Sequence, residues 1–146
     1  MGRDIDRIVE IELSSFKRDA WERELFVGML EQCPDLFLVA KVGRRIVGYS
    51  ITCMQRDKAE LVSIAVFPRA RLQGAGEALM RWTRRELNRR KVRAWRLMVR
   101  IDNEGAIRFY RGLGFKRVRT VKDYYGTGKD GWGMELILSP GAEGRR

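Results

Sequence analysis

The sequence predicts an α+β domain, a mixed and mostly antiparallel sheet with helices packed around it. Three observations carry this. Apolar runs of strand length alternate with segments of helical period. Two pairs of strands are joined through short glycine-containing connections, as hairpins are. Finally, Leu61–Glu77 reads as a buried strand, a break at Pro68, a basic loop and a glycine-rich turn that opens a helix.

Taken in order, Asp4 to Phe16 carries Ile5, Ile8, Val9, Leu13 and Phe16 at spacings of three and four, the stripe of an amphipathic helix. Asp19 to Glu31 is a second helix with Trp21, Leu25 and Met29 inward, stopped by Pro34. Leu36–Val42 and Ile46–Met54 are antiparallel strands joined at Gly43-Arg44-Arg45. Arg56-Asp57-Lys58 turns the chain into the Glu60–Phe67 strand. From Gly74 to Arg90, Ala75, Ala78, Leu79 and Trp82 line one helix face, with Arg81, Arg84, Arg85, Arg89 and Arg90 around the rest. Glu86 falls on the apolar side, so the stripe is expected to end there.

Trp95–Ile101 is a further strand. Asn103–Arg111 is a short helix with Ala106, Ile107 and Tyr110 inward, ended by Gly112 and Gly114. Phe115–Val121 and Trp132–Leu138 form a final hairpin around Tyr124–Gly131. Ser139–Arg146 is a polar tail expected to be disordered, leaving 1–138 as one domain.

Composition bounds the chemistry. A chain of 146 residues with 45% hydrophobic content can bury one core. No apolar run approaches the roughly 20 residues of a membrane span and no signal peptide stands at the start, so a cytoplasmic location is expected. Cys33 and Cys53 lack metal-type or C-x-x-C spacing and read as reduced packing residues. Histidine is absent, which excludes imidazole as base or metal ligand, and no metal site is expected. Proton chemistry then falls to carboxylates, tyrosine, cysteine, lysine or water. The net charge of +11 fits either a polyanionic partner or a highly charged solvated surface.

Two motifs identify a family. The first is Arg71-Leu72-Gln73-Gly74-Ala75-Gly76, running into Glu77 at the start of a helix. The second is Leu97-Met98-Val99-Arg100, followed by Asn103, Ala106, Tyr110 and Gly112-Leu113-Gly114-Phe115. Together they resemble the GNAT superfamily of acetyl-CoA-dependent N-acetyltransferases, over nearly the whole chain. The nearest likeness is to the bacterial ribosomal-protein N-terminal alanine acetyltransferases. The resemblance implies a sheet splayed between two central strands and flanked by about four helices. The family's first strand is short or missing here.

It also implies a site. The cofactor pyrophosphate is cradled by backbone amides of Leu72–Glu77, with Arg71 and Arg69 adding charge, because a helix start presents free N–H groups and glycine lets a phosphate approach. Ile64, Ala65 and Val66 pair with the pantetheine arm and the acetyl oxygen through their backbone. Asn103 is a good N-cap by itself, and the matching asparagine of the family also bonds the cofactor arm. Tyr110 is implied as the general acid that reprotonates the CoA thiolate. Tyr124 and Tyr125 match a tyrosine pair that holds the substrate backbone in N-terminal acetyltransferases. Asp130 and Glu31 are further carboxylates available to a cationic acceptor.

The base departs from the pattern. Relatives tend to carry L-E-V-R where this chain has Leu97-Met98-Val99-Arg100, and Met98 cannot take a proton. Glu60 is the expected substitute, since Ala59-Glu60-Leu61-Val62 resembles the histone-type segment whose glutamate acts as base; Glu24 is the alternative. Without a strong base the acceptor matters. An α-amine of pKa ~7.8 is about a seventh neutral at pH 7, whereas lysine at ~10.4 is about 0.04% neutral, a gap of about 3.5 kcal/mol.

The acceptor implied is therefore a protein or peptide N-terminus, a ribosomal protein being one case. Lysine or a small-molecule amine, or a CoA- or ribosome-binding module without catalysis, are the rivals. Nucleic-acid contact rests only on the arginine-rich helix face, and a monomer and a homodimer are both allowed.

Overall fold

A computed structural model describes residues 2–16, 23–68 and 74–138. Its strands are β1 (Phe37–Val42), β2 (Arg45–Gln55), β3 (Lys58–Val66), β4 (Ala94–Arg100), β5 (Lys116–Val121) and β6 (Gly131–Ile137). Its helices are α1 (Gly2–Phe16), α2 (Arg23–Gln32), α3 (Ala75–Arg89) and α4 (Glu104–Gly112). One mixed sheet has the order β1-β2-β3-β4-β6-β5. β1 pairs with β2, and β6 with both β4 and β5, antiparallel; β3 pairs with β4 in parallel, as a β-helix-β crossover requires. That parallel ladder runs only from Lys58↔Ala94 to Leu61↔Leu97, although β3 continues to Val66.

Contacts divide the chain into two units, Met1–Cys53 with Val62–Glu86, and Met54–Leu61 with Leu87–Arg146. In the first, Ile5, Ile8 and Ile11 of α1 and Phe26 of α2 pack on Ile46, Tyr49 and Ile51 of β2. The Phe26 ring meets Tyr49 edge-on at 5.4 Å. The Tyr49 hydroxyl donates to the buried carboxylate of Glu12 and lies 2.7 Å from Ser63 Oγ. Gly48 lets β3 come close: a Cβ there would stand 2.9 Å from Val66 Cγ2 and 3.0 Å from the Ala65 carbonyl oxygen.

In the second unit, the ring of Trp95 of β4 meets Phe115 at a tilt, 5.3 Å away, and Phe115 meets Tyr110 of α4 edge-on at 5.9 Å. Leu97, Val99, Met134 and Leu136 complete that buried side.

Several expectations are corrected. On α2, Phe26 is fully buried and Met29 packs against the same core as expected, while Leu25 is exposed; Trp21 lies outside the described residues. On α3 the buried positions are Ala75, Leu79, Met80, Thr83 and Leu87, whereas Trp82 is 47% exposed and Ala78 is exposed. The predicted stripe was centred wrongly because Thr83 looks polar. Its hydroxyl donates to the Leu79 carbonyl at 2.8 Å, so it sits inside the buried face and the stripe runs on to Leu87.

Cys33 and Cys53 form a disulfide, with Cα atoms 5.2 Å apart, well inside bridging range. Their separation of 20 residues carries no sequence signal; only the packing of α2's C-terminal end on β2 brings them together. The tail 139–146 lies outside the described residues.

Candidate active site

The site is built from the alternation of β4. Trp95, Leu97 and Val99 face the core, so Arg96, Met98 and Arg100 face the other way. Register carries that second face across the sheet: Glu60 of β3 is opposite Arg96, while Gly133 and Gly131 of β6 are opposite Met98 and Arg100. With no side chains at Gly131 and Gly133, the sheet is bare beside Met98. A Cβ at Gly131 would meet Met98 Cε, Tyr124 Cβ and the Tyr125 ring, each at 3.1 Å. Met98, Tyr124 and Tyr125 therefore converge on one glycine.

The loop that delivers the two tyrosines is pinned by its own carboxylates. Asp123, in a left-handed conformation with φ 55°, donates its N–H to Asp130 Oδ1 at 2.9 Å, and its carboxylate accepts from the Gly128 N–H at 2.7 Å. Backbone bonds from Tyr125 to Lys129 and from Gly126 to Asp123, both 3.0 Å, close the loop. The Tyr124 and Tyr125 rings meet edge-on at 4.8 Å. Asp130 is thus committed to the loop.

Electrostatics link these groups to α4. Burial, and then the neighbouring Tyr124, pushes the Tyr125 hydroxyl up to about 12; Glu60 adds to the rise and Arg100 opposes it. Burial, and then Tyr125, pushes Tyr110 well above the ordinary phenol range. Within the second unit, Tyr125 thus feels the charge of Glu60, and Tyr110 that of Tyr125. Arg100 donates to both oxygens of Asp102, at 3.1 and 2.9 Å, and holds that carboxyl below its usual range. Asn103 caps α4, its Oδ1 accepting from the Ala106 N–H at 3.1 Å.

In the first unit, Ala65 and Val66 are buried and Ile64 half-buried on β3. Gly74 has φ 79°, which favours glycine, and its carbonyl accepts from Ala78 at 2.9 Å to start α3. A helix leaves the N–H groups of its first turn, here Ala75, Gly76 and Glu77, without an intrahelical partner. Gly76 carries no side chain over them, and Glu77 turns its carboxylate to Arg81 at 3.4 Å. This helix start suits an anionic ligand. Arg69, Arg71, Leu72 and Gln73 lie outside the described residues. Glu24 and Glu31 are exposed on α2.

The sequence pattern described as the Acetyltransferase (GNAT) family matches residues 5–115. The chain belongs to this family. Its relatives include an uncharacterized N-acetyltransferase of Methanocaldococcus jannaschii, 31% identical over 98% of this chain and 91% of the relative. An N-alpha-acetyltransferase of Sulfurisphaera tokodaii is 30% identical over 92% and 88%. Among solved structures, the ribosomal-protein-S18-alanine N-acetyltransferase of Escherichia coli superposes with a TM-score of 0.83 at 28% identity, covering 95% of this chain and 90% of that one.

The protein is an N-acetyltransferase, and GNAT acetyltransferases use acetyl-CoA. Among the described residues, none group as a metal site and no helix is long and apolar enough to cross a membrane.

Sequence reasoning about this GNAT acetyltransferase did not mark Gly131 or Gly133, nor Arg119, which lies over Gly133 and lines a pocket with Glu60 and Met98. The signal was present for the glycines, since alternate glycines in a strand leave one face bare. Arg119 depends on a bulge between Arg117 and Arg119 that the alternation of β5 does not announce.

Proposed function

We propose that the protein, as a single domain over 1–138, transfers acetyl to the N-terminal α-amine of a protein or peptide by direct attack. The observation that carries this reading is the convergence of Met98, Tyr124 and Tyr125 on Gly131, with Tyr125 within electrostatic reach of both Glu60 and Tyr110. Half-buried Glu60 is the base that takes the ammonium proton, directly or through water. Tyr124 and Tyr125 hold the acceptor backbone.

Acetyl-CoA supplies the activated acyl group and leaves as a thiolate. Tyr110, kept protonated by burial, holds a proton for that sulfur. The first-turn amides of α3, from Gly74, Ala75, Gly76 and Glu77, with Arg71, Leu72 and Gln73 of the motif, hold the pyrophosphate. The backbone of Ile64, Ala65 and Val66 and the side-chain amide of Asn103 hold the pantetheine arm. Cys33 and Cys53 are bonded to each other, which supports transfer without a thiol carrier. Met98 in place of a carboxylate favours an acceptor that is already partly neutral at pH 7, which an α-amine is and lysine is not.

The test is Tyr110→Phe. Acetyl-CoA binding, read by calorimetry, is expected to survive while turnover falls about a hundredfold or more. Unchanged turnover would remove Tyr110 from the chemistry; no turnover in the unmodified protein would favour a binding module.

A further inference from the structure

We propose that Arg119 selects the acceptor, and that this site favours a protein N-terminus with an acidic side chain close behind the α-amine. The inference rests on the N-terminal reading above and adds the substrate class. It starts from a pocket of about 380 Å³ in the second unit, lined by Glu60, Arg96, Met98, Arg119, Gly133 and Glu135 among others.

The charges in this pocket do not cancel. Arg96 is satisfied by Glu135, Nε to Oε2 2.8 Å. Among the described residues, Arg119, Lys58 and Glu60 have no ion pair, although all three line the pocket. Two cations and one carboxylate remain to meet a ligand.

The fold takes specific steps to put Arg119 there. β5 is regular from Lys116↔Glu135 to Arg117↔Met134; strict alternation would then place Val118 opposite Gly133. The bulge shifts the register so that Arg119 takes that position instead. Gly133 leaves room for it: a Cβ there would lie 3.0 Å from both Cγ and Nε of Arg119 and 3.5 Å from Met98 Sδ. The exposed arginine therefore reaches across β6 over Gly133, on the same pocket lining as Met98, where a ligand can meet it.

Glu60 and Arg119 thus face an acceptor from opposite sides of Met98. The carboxylate suits the incoming ammonium, and the guanidinium suits a second carboxylate, which its planar fork binds in bidentate fashion. A side chain one or two residues in from the amine lies about 4–7 Å along an extended chain. An N-terminus carrying Asp or Glu at its second or third position matches this arrangement; a lysine there would meet Arg119 and Lys58.

The experiment uses the full chain, acetyl-CoA and three peptides that share a free N-terminal alanine and an uncharged remainder. They carry Glu, Gln or Lys at the second and third positions, and kcat and KM are read by mass spectrometry. The Glu peptide is expected to lead the Lys peptide by about tenfold or more in kcat/KM, with Gln between. Arg119→Gln should raise KM for the Glu peptide and bring the three together; Arg119→Lys should keep part of the preference; Arg119→Glu should invert it. Equal rates on all three peptides, or a Glu preference that survives Arg119→Gln, overturns the proposal and leaves the N-terminal reading intact. Acetylation of none of the three α-amines overturns both.

Discussion

The Cys33–Cys53 bridge makes the most direct prediction about stability. It joins the end of α2 to β2 across a separation of 20 residues. In the chain-entropy description, a cross-link closing a loop of this length restricts the unfolded state by about 3 kcal/mol. For a chain of this size that corresponds to roughly 6–12 °C in Tm.

Cys33 is only half-buried, so Cys33→Ala removes the cross-link with little loss of packing. The assay is thermal or denaturant unfolding of wild type and Cys33→Ala, each with and without reductant. Reductant should bring wild type down to the level of the variant and leave the variant unmoved. A wild-type midpoint indifferent to reductant would refute the bridge. So would a variant as stable as oxidised wild type.

Two further predictions concern the site. Gly131→Val should raise the peptide KM about ten- to a hundredfold, at a cost of about 1–3 kcal/mol in stability, because the new side chain displaces Met98, Tyr124 and Tyr125; steady-state kinetics and thermal unfolding read it. The pH profile of kcat/KM should rise as the α-amine loses its proton near pH ~8. Tyr110 and Tyr125 both titrate above the usual phenol range. They stay protonated, so no descending limb from either is expected below about pH 10. A fall in rate between pH 8 and 10 would count against Tyr110 as the acid.

Much of this was legible in the chain. Asn103 stands where an N-cap must, and the structure gives it that bond. The described residues of Leu61–Glu77 give the strand and the helix start that its punctuation announces. Tyr124 and Tyr125 lie in the hairpin loop where glycines expect one.

What was not legible depends on three dimensions. Thr83 hides its hydroxyl in its own helix, which moved the buried stripe of α3 away from Trp82. Cys33 and Cys53 become neighbours only through tertiary packing. Arg119 enters the pocket through a bulge and a glycine on the neighbouring strand, two features that no pattern within β5 encodes.

Acetyl transfer to an α-amine is read by mass spectrometry on two peptides with acetyl-CoA. One has a free N-terminal alanine and no lysine; the other has a blocked N-terminus and internal lysines. Acetylation of the first alone is expected, since about a seventh of an α-amine but only about 0.04% of a lysine is neutral at pH 7. Acetylation of the second alone would contradict it and make Glu60 a base strong enough to deprotonate lysine.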